Sequence, residues 1–289
     1  MRVLITGAHG QVGGSLIRMK SPEVSIVALD HGQLDISDKN AVTHAVAFAR
    51  PDVVINTAAY TAVDRAESDT DSAFKVNGDG AGNLAAAAWQ NGARLIHIST
   101  DFVFDGRKSR PYKPGDSTNP LGAYGASKLA GEEQIRNILG GRALILRTAW
   151  VYAAEGANFV KTMLRLMAER DKLNVVSDQI GSPTWAMSLA EAIWVAVRRP
   201  EVTGLHHWTD AGVASWYDFA VAIAEEATAR GLLQRATEVI AIPTEKYPTP
   251  ARRPAYSVLN CGSTEQALGT RPAHWRVNLR KMLWELSNA

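Results

Sequence analysis

The chain has 289 residues, 46% of them hydrophobic, which is enough to bury one substantial core and to add a second, smaller lobe. Its 31 basic and 29 acidic residues leave a formal net charge of +2 and form no basic stripe, so nucleic acid is not an expected partner. The single cysteine excludes an internal disulfide, and no run of about 18 apolar residues suggests a membrane span.

The amino terminus and the histidines point to a cytoplasmic chain without a metal. Met1 to Thr6 lead directly into a glycine turn, which leaves no room for a signal peptide. The seven histidines show no spacing typical of metal ligands. We therefore expect a cytoplasmic location and no required metal.

The first half alternates short apolar runs with longer amphipathic segments, a pattern typical of a parallel sheet flanked by helices. A helix is predicted to begin after Ser37-Asp38 and to end near Arg50-Pro51, and a long Ala-rich helix is predicted over 69–90. The predicted strands are 3–6, 25–29, 53–56, 95–99 and 143–147. Residues 1–150 are therefore predicted to form a Rossmann-type, doubly wound dinucleotide-binding domain.

Beyond Trp150 the pattern changes to that of a smaller α/β lobe. Helices are predicted over 157–170, 183–199 and 215–229, strands over 173–176 and 204–208, and an extended proline-rich loop over 242–254. Residues 151–289 are predicted to form mainly a substrate-binding lobe for a nucleotide sugar, with some segments returning to the first domain.

A glycine turn follows the first strand and indicates a dinucleotide site. Gly7, Gly10 and Gly13, with Gln11 and Val12 between them, have the spacing that lets a backbone approach a pyrophosphate at a helix N-terminus. The placement between a strand and a helix favours this interpretation over an ordinary flexible turn.

Further cofactor contacts are predicted where later strands end. Asp30 closes the second strand, where a carboxylate accepts hydrogen bonds from an adenosine ribose and repels a 2′-phosphate. NADH is therefore expected to bind better than NADPH, with His31 softening the preference; a solvated Asp30 is the alternative. The other predicted contacts are Asp35, Ile36, Ala58, Ala59, Tyr60, Thr61 and Ile98.

Tyr124 and Lys128 are candidate catalytic residues. Their i, i+4 spacing places phenol and ammonium on one helix face, where the positive charge is expected to lower the pKa of the phenol. Such a pair is usually a surface pair, but Thr100 ends the fourth strand, where ligands bind in doubly wound sheets. The Thr100 hydroxyl is suited to donate a hydrogen bond to a reacting carbonyl.

The sequence resembles the extended short-chain dehydrogenase/reductase family, and within it the group of dTDP-4-dehydrorhamnose reductases, over nearly its whole length. STDFVF at 99–104 is one of the matching segments, while the glycine turn and YGASKLAGE at 124–132 define only the superfamily. The narrower matches are NTAAYTAVD at 56–64, RTAWVY at 147–152, DQIGSPT at 178–184 and RPAYSVL at 253–259.

This resemblance implies hydride transfer from NADH or NADPH to the C4 ketone of dTDP-4-dehydro-L-rhamnose, giving dTDP-L-rhamnose in the last step of its biosynthesis. Tyr124 would donate the proton, Thr100 would orient the carbonyl, and Lys128 would hold the nicotinamide ribose. The implied substrate contacts, besides Thr100 and Tyr124, are Asp101, Trp150, Asn158, Gln179 and Arg253.

Other functions remain open at this point. A related dehydratase would carry a second acid directly after Asp101, where this chain has Phe102. A reductase of another dTDP-4-keto-6-deoxysugar is the nearest alternative, and a non-catalytic dinucleotide-binding regulatory subunit is a more distant one. The resemblance also suggests Mg²⁺ and a homodimer, but Ser15 and Trp185-Ala186 stand where acidic ligands would be expected, so no metal is predicted.

Overall fold

The computed structural model describes residues 1–20, 22–235 and 237–288. Its largest sheet is built from six parallel strands: β1 (Arg2–Thr6), β2 (Ser25–Leu29), β3 (Val53–Asn56), β4 (Arg94–Thr100), β5 (Leu144–Thr148) and β10 (Gly204–His207). Across the sheet their order is β10-β5-β4-β3-β1-β2. The fold is thus the Rossmann-type, doubly wound α/β arrangement that the sequence predicts.

Helices cover both faces of this sheet. They are α1 (Gln11–Arg18), α2 (Lys39–Ala49), α3 (Val63–Ala66), α4 (Thr70–Phe74), α5 (Gly80–Gln90), α6 (Ala123–Leu139) and α8 (Ala186–Val197). Alternate residues of β1 serve the two faces: Val3 and Ile5 pack with α1 and α8, while Leu4 packs with α2 and α5. Because both faces are buried, β1, β3 and β5 are mostly apolar.

A smaller lobe surrounds a separate cluster that includes Tyr152, Val160, Phe219 and Leu279. Its helices are α7 (Phe159–Glu169), α9 (Trp216–Ala229) and α11 (Trp275–Ser287), whereas α10 (Gly262–Leu268) belongs to the cluster of the large sheet. Its short strands pair as β6 (Val151–Tyr152) with β9 (Thr184–Trp185), β7 (Lys172–Val176) with β12 (Glu238–Ile242), and β8 (Ile180–Gly181) with β11 (Ala214–Ser215). Helix α10 packs against α8 and β10, so it adjoins the large sheet.

The local signals in the sequence act as expected at several helix ends. Asp38 accepts hydrogen bonds from the N–H groups of Asn40 and Ala41 at the start of α2, and α2 ends at Arg50 in the left-handed region, φ 44°. Ser215 and Asp218 form a reciprocal cap at the start of α9.

Three predicted elements need correction. The helix predicted over 69–90 is divided by a π-helical turn, Lys75–Asp79, between α4 and α5. The helix predicted over 183–199 begins only at Ala186, because the two preceding residues pair with β6 as strand β9. The predicted loop over 242–254 begins with the last residue of β12 and contains a 3₁₀ turn, Thr244–Lys246.

The division near residue 150 stays a prediction, since α8 and β10 from the second half complete the large sheet and one of its faces. In the part of the chain that the structure describes, none of the helices combines the length and apolar character that crossing a bilayer requires.

Candidate active site

A cleft of 1090 Å³ runs along the carboxyl ends of β1, β3, β4 and β5 and reaches the smaller lobe at Trp216 and Arg253. Parallel sheets bind ligands at this edge. All but one of the predicted cofactor residues line it: Gly7, Gly10, Gln11, Val12, Asp30, Asp35, Ile36, Ala58, Ala59, Tyr60, Thr61, Ile98, Tyr124 and Lys128.

The glycine turn is shaped by close backbone approaches. Gly7 has φ +73°, and a Cβ atom there would lie 2.6 Å from the Ala58 nitrogen. Gly13, the predicted residue that does not line the cleft, lies behind the turn, where a Cβ would stand 2.3 Å from the Gly7 oxygen. The residues present therefore fit a dinucleotide: side chains are absent where they would fill the cradle, and the first-turn N–H groups of α1 have no intrahelical acceptors.

The predicted ribose-binding aspartate already has protein partners. One Asp30 carboxylate oxygen lies 3.1 Å from Nδ1 of His9, and the other accepts the Gln33 N–H at 3.0 Å. Nearby, Asp35 accepts hydrogen bonds from the hydroxyl and N–H of Ser37, which lower the pKa of its carboxyl group. The Asp30 carboxylate is therefore already engaged by His9 and Gln33 where a ribose would bind.

Thr100, Tyr124 and Lys128 meet in the middle of the cleft. The Thr100 hydroxyl lies beside the Tyr124 phenol and donates to Oδ1 of Asp101 at 3.1 Å. On α6, next to Tyr124, Gly125 lies very close to the 3₁₀ turn Asp101–Val103 that follows β4. A Cβ atom on Gly125 would stand 2.2 Å from the Phe102 oxygen. Glycine at this position allows α6 to bring the phenol to the end of β4.

The expected lowering of the Tyr124 pKa is wrong for this structure. Burial of the phenol, with the Asp101 carboxylate nearby, raises the pKa of Tyr124 to about 12. Lys128 does not act against this increase; its Nζ donates to the Ile98 carbonyl at 2.7 Å. Burial lowers the pKa of Lys128 itself to about 8, against the opposing effect of Glu132. At neutral pH the phenol is therefore protonated, which is the form that a proton donor needs.

Two oxygen atoms beside this trio have no hydrogen-bond partner among the described residues: Oδ2 of Asp101 and Oγ1 of Thr148. Both residues line the cleft. Burial raises the pKa of Asp101 to about 6, against the opposing effect of the nearby Ser257 and Thr100 hydroxyls. Buried polar atoms normally have partners, so these oxygens are suited to polar groups of a ligand.

Trp150 forms the opposite wall of the cleft. It has φ 49°, a conformation that is unusual for a bulky residue. Its ring stacks on Trp216 with centroids 3.5 Å apart, and it lies over Gly181, where a Cβ would come within 2.5 Å of the indole. The strained backbone thus holds a flat aromatic surface between the two lobes.

The other predicted substrate contacts are more scattered. Arg253 lines the cleft and pairs with Asp64 at 2.8 Å. Asn158 and Gln179 are not in the cleft wall: Asn158 caps α7 and donates to Oε1 of Gln11 at 3.0 Å, and Gln179 donates to the Thr244 hydroxyl at 3.1 Å. Their side chains are thus engaged within the protein, and their contact with a substrate stays a prediction.

Asn77 is a site residue that sequence reasoning missed. It lies in the π-helical turn, accepts the Tyr60 N–H at 2.8 Å and donates to the Ser127 hydroxyl at 3.0 Å. Ser127 in turn donates to the Tyr124 carbonyl at 2.8 Å. A buried asparagine in an Ala-rich helix was the available signal, since such a group needs partners. Asn77 connects the loop after β3 to the helix that carries Tyr124.

No group of three or more His, Cys, Asp or Glu side chains suited to a metal ion occurs within residues 1–20, 22–235 and 237–288. The absence of a required metal stays a prediction.

Comparison with known proteins gives a consistent result. Residues 1–288 match the family described as RmlD substrate binding domain. The chain is 44% identical over 289 residues to the spore coat polysaccharide biosynthesis protein SpsK of Bacillus subtilis, covering 100% of this chain and 99% of the relative. It is 44% identical over 286 residues to dTDP-4-dehydrorhamnose reductase of Burkholderia thailandensis, covering 96% of each.

Among solved structures, dTDP-4-dehydrorhamnose reductase of Bacillus anthracis in complex with NADP superimposes with a TM-score of 0.92 at 37% identity. The match covers 98% of this chain and 99% of that chain.

Proposed function

Because the chain belongs to the RmlD substrate-binding-domain family, we propose that it reduces the C4 ketone of dTDP-4-dehydro-L-rhamnose to dTDP-L-rhamnose with NADH or NADPH. It is an NAD(P)H-dependent oxidoreductase. The observation that carries the proposal is the meeting of Thr100, Tyr124 and Lys128 in one cleft with the glycine turn.

The residues that would hold the dinucleotide lie along the first half of the cleft. The N–H groups at the start of α1 would bind the pyrophosphate, Asp30 the adenosine ribose, and Lys128 the nicotinamide ribose. When bound, the reduced nicotinamide supplies the hydride.

The protein's own contribution to the chemistry is a proton and its placement. The Tyr124 phenol, protonated at neutral pH, donates its proton to the oxygen that develops from the C4 ketone. The Thr100 hydroxyl orients the same oxygen. The Lys128 ammonium adds positive charge beside the developing oxyanion and the ribose.

On the substrate side, the unpartnered oxygen of Asp101 would accept a hydrogen bond from a sugar hydroxyl, and Trp150 would cover one face of the sugar. Arg253 would bind the diphosphate, since its planar fork suits phosphate oxygens and its partner Asp64 holds it in place. Asn158 and Gln179 would reach the nucleotide only by giving up their present hydrogen bonds.

Cofactor choice is proposed to favour NADH modestly, because the pairing of Asp30 with His9 weakens the repulsion of a 2′-phosphate. A relative solved with NADP fits a preference that is not strict. The predicted homodimer and the cytoplasmic location stay predictions.

A reductase of another dTDP-4-keto-6-deoxysugar is the second candidate. The observation that favours it is the 44% identity to a spore coat polysaccharide biosynthesis protein, whose name specifies no sugar.

The test follows NADH and NADPH oxidation by absorbance, with dTDP-4-dehydro-L-rhamnose and with a 4-keto-6-deoxysugar of different ring stereochemistry. We expect turnover with the first ketosugar and dTDP-L-rhamnose as the product by mass and NMR. Faster turnover of the second ketosugar would establish the second candidate. Dinucleotide binding without oxidation of either cofactor would instead indicate a regulatory subunit.

A further inference from the structure

A row of buried polar side chains crosses the large sheet behind the cleft. Thr6, Asn56 and His97 are register partners on β1, β3 and β4, so their side chains stand side by side. The Thr6 hydroxyl donates to Oδ1 of Asn56 at 2.7 Å, and Nδ2 of Asn56 lies 2.9 Å from Nδ1 of His97. At the end of the row, Nε2 of His97 lies 3.4 Å from Nζ of Lys128.

The backbone fixes the orientation of the Asn56 amide. Oδ1 of Asn56 accepts the Ala58 N–H at 3.1 Å, and a backbone N–H can only donate. The oxygen therefore faces Ala58, and the NH₂ group faces His97. Since an amide NH₂ has only donors, Nδ1 of His97 has to be the acceptor.

This arrangement determines where the histidine carries its proton. A neutral imidazole has one N–H, and with Nδ1 accepting, the proton is on Nε2. Burial and the nearby lysine charge lower the pKa of His97 well below its usual value, which agrees with a neutral ring. The Nε2–H group then faces Lys128, and a donor facing an ammonium is repulsive, whereas an uncharged amine can accept from it.

We propose that Asn56 locks His97 as the Nε2–H tautomer, and that His97 is a positioning residue that orients Lys128 and favours its uncharged amine. The inference rests on the proposed function, because it concerns the lysine assigned to the nicotinamide ribose. The row of Thr6, Asn56 and His97 is not a proton relay. The Asn56 amide holds Nδ1 of His97 by a hydrogen bond but cannot transfer its proton to that nitrogen.

Other charged and titratable groups also act on Lys128. Tyr124 and Glu132 lie one helical turn to either side of it on α6, but Glu132 is engaged by Ser99 of β4 and Arg147 of β5. From β4 itself the Ile98 carbonyl accepts from Nζ and favours the ammonium. His97 is the group from β4 whose Nε2–H, 3.4 Å from Nζ, opposes this charge.

The tautomer can be measured on the unmodified protein. Nitrogen-15 NMR of histidine-labelled enzyme, without cofactor or substrate, distinguishes a protonated Nε2 from a protonated Nδ1. We expect the His97 proton on Nε2, and its assignment uses the spectrum of His97→Phe or, if that variant does not fold, of Asn56→Asp. A proton on Nδ1 would overturn the inference whatever the activity of the enzyme.

A kinetic test uses the pH dependence of kcat/KM. In His97→Phe a phenyl ring without an N–H replaces the imidazole, so the alkaline limb should move upward by about one pH unit. His207→Phe is the matched control, because it replaces another fully buried strand histidine. The alkaline limb of the kcat/KM profile should not move in this variant. An unchanged or lowered limb in His97→Phe would contradict the inference, whereas absence of turnover in the unmodified enzyme would contradict the proposed function alone.

Discussion

Removing the charge of Glu132 should destabilise the protein strongly. Glu132 and Arg147 are 0% and 1% exposed, and two guanidinium nitrogens of Arg147 donate to the Glu132 carboxylate at 2.8 and 2.6 Å. The Ser99 hydroxyl donates to the same carboxylate at 2.6 Å. In Glu132→Gln, Arg147 keeps a buried charge without an opposite charge, which costs roughly 3–5 kcal/mol.

Such a loss is a large part of the free energy of unfolding, which is about 5–15 kcal/mol for a typical protein. It should lower Tm by roughly 5–8 °C for a chain of this size. Urea unfolding followed by circular dichroism, together with calorimetry, measures both quantities.

A matched control is Glu169→Gln, which breaks the exposed pair with Arg165 at 3.1 Å and should cost less than about 0.5 kcal/mol. The double variant Glu132→Leu with Arg147→Met should recover much of the stability, because two apolar groups replace two charges. A loss of less than about 1 kcal/mol in Glu132→Gln would refute this reasoning.

Three further predictions concern the cleft. The pH profile of kcat/KM should be bell-shaped, falling below a pH of about 6 as Asp101 gains a proton and above about 8 as Lys128 loses its charge. A steady-state profile that is flat across both limits would contradict the two roles. Gly13→Ala places a Cβ 2.3 Å from a backbone oxygen and should weaken NADH binding by about tenfold or more in calorimetric titration. Gly14→Ala, whose Cβ would have its nearest neighbour at 3.9 Å, should not weaken it, and equal NADH affinities of the two variants would argue against the packing role of Gly13. Asp30→Asn should raise the kcat/KM ratio of NADPH to NADH by about tenfold, and an unchanged ratio would show that this carboxylate does not select the cofactor.

The placement of the predicted cofactor residues along one cleft could be foreseen because it depends largely on local patterns. Strands buried on both faces are apolar runs, and Gly7 and Gly10 follow the first of them directly. Asp30 follows from its distance along the chain. Each prediction used residues that are close in sequence, where spacing alone determines proximity.

The remainder depends on contacts between distant segments. The pairing of Glu238–Ile242 with Lys172–Val176 joins strands more than sixty positions apart, and it was not predicted. Helical spacing placed Tyr124 beside Lys128, but the direction of the Tyr124 pKa is set by burial and by Asp101. Likewise the engagement of Gln179 by Thr244 is visible only once β7 and β12 are paired in the smaller lobe.

The most direct test of the proposed mechanism is the rate of hydride transfer in Tyr124→Phe, measured by stopped flow in the complex of enzyme, NADPH and dTDP-4-dehydro-L-rhamnose. The rate should fall by about 100-fold or more, while the Kd for NADPH changes by less than about threefold, because the variant lacks only the proton donor. A fall of less than about tenfold would show that the ketone oxygen receives its proton from another group.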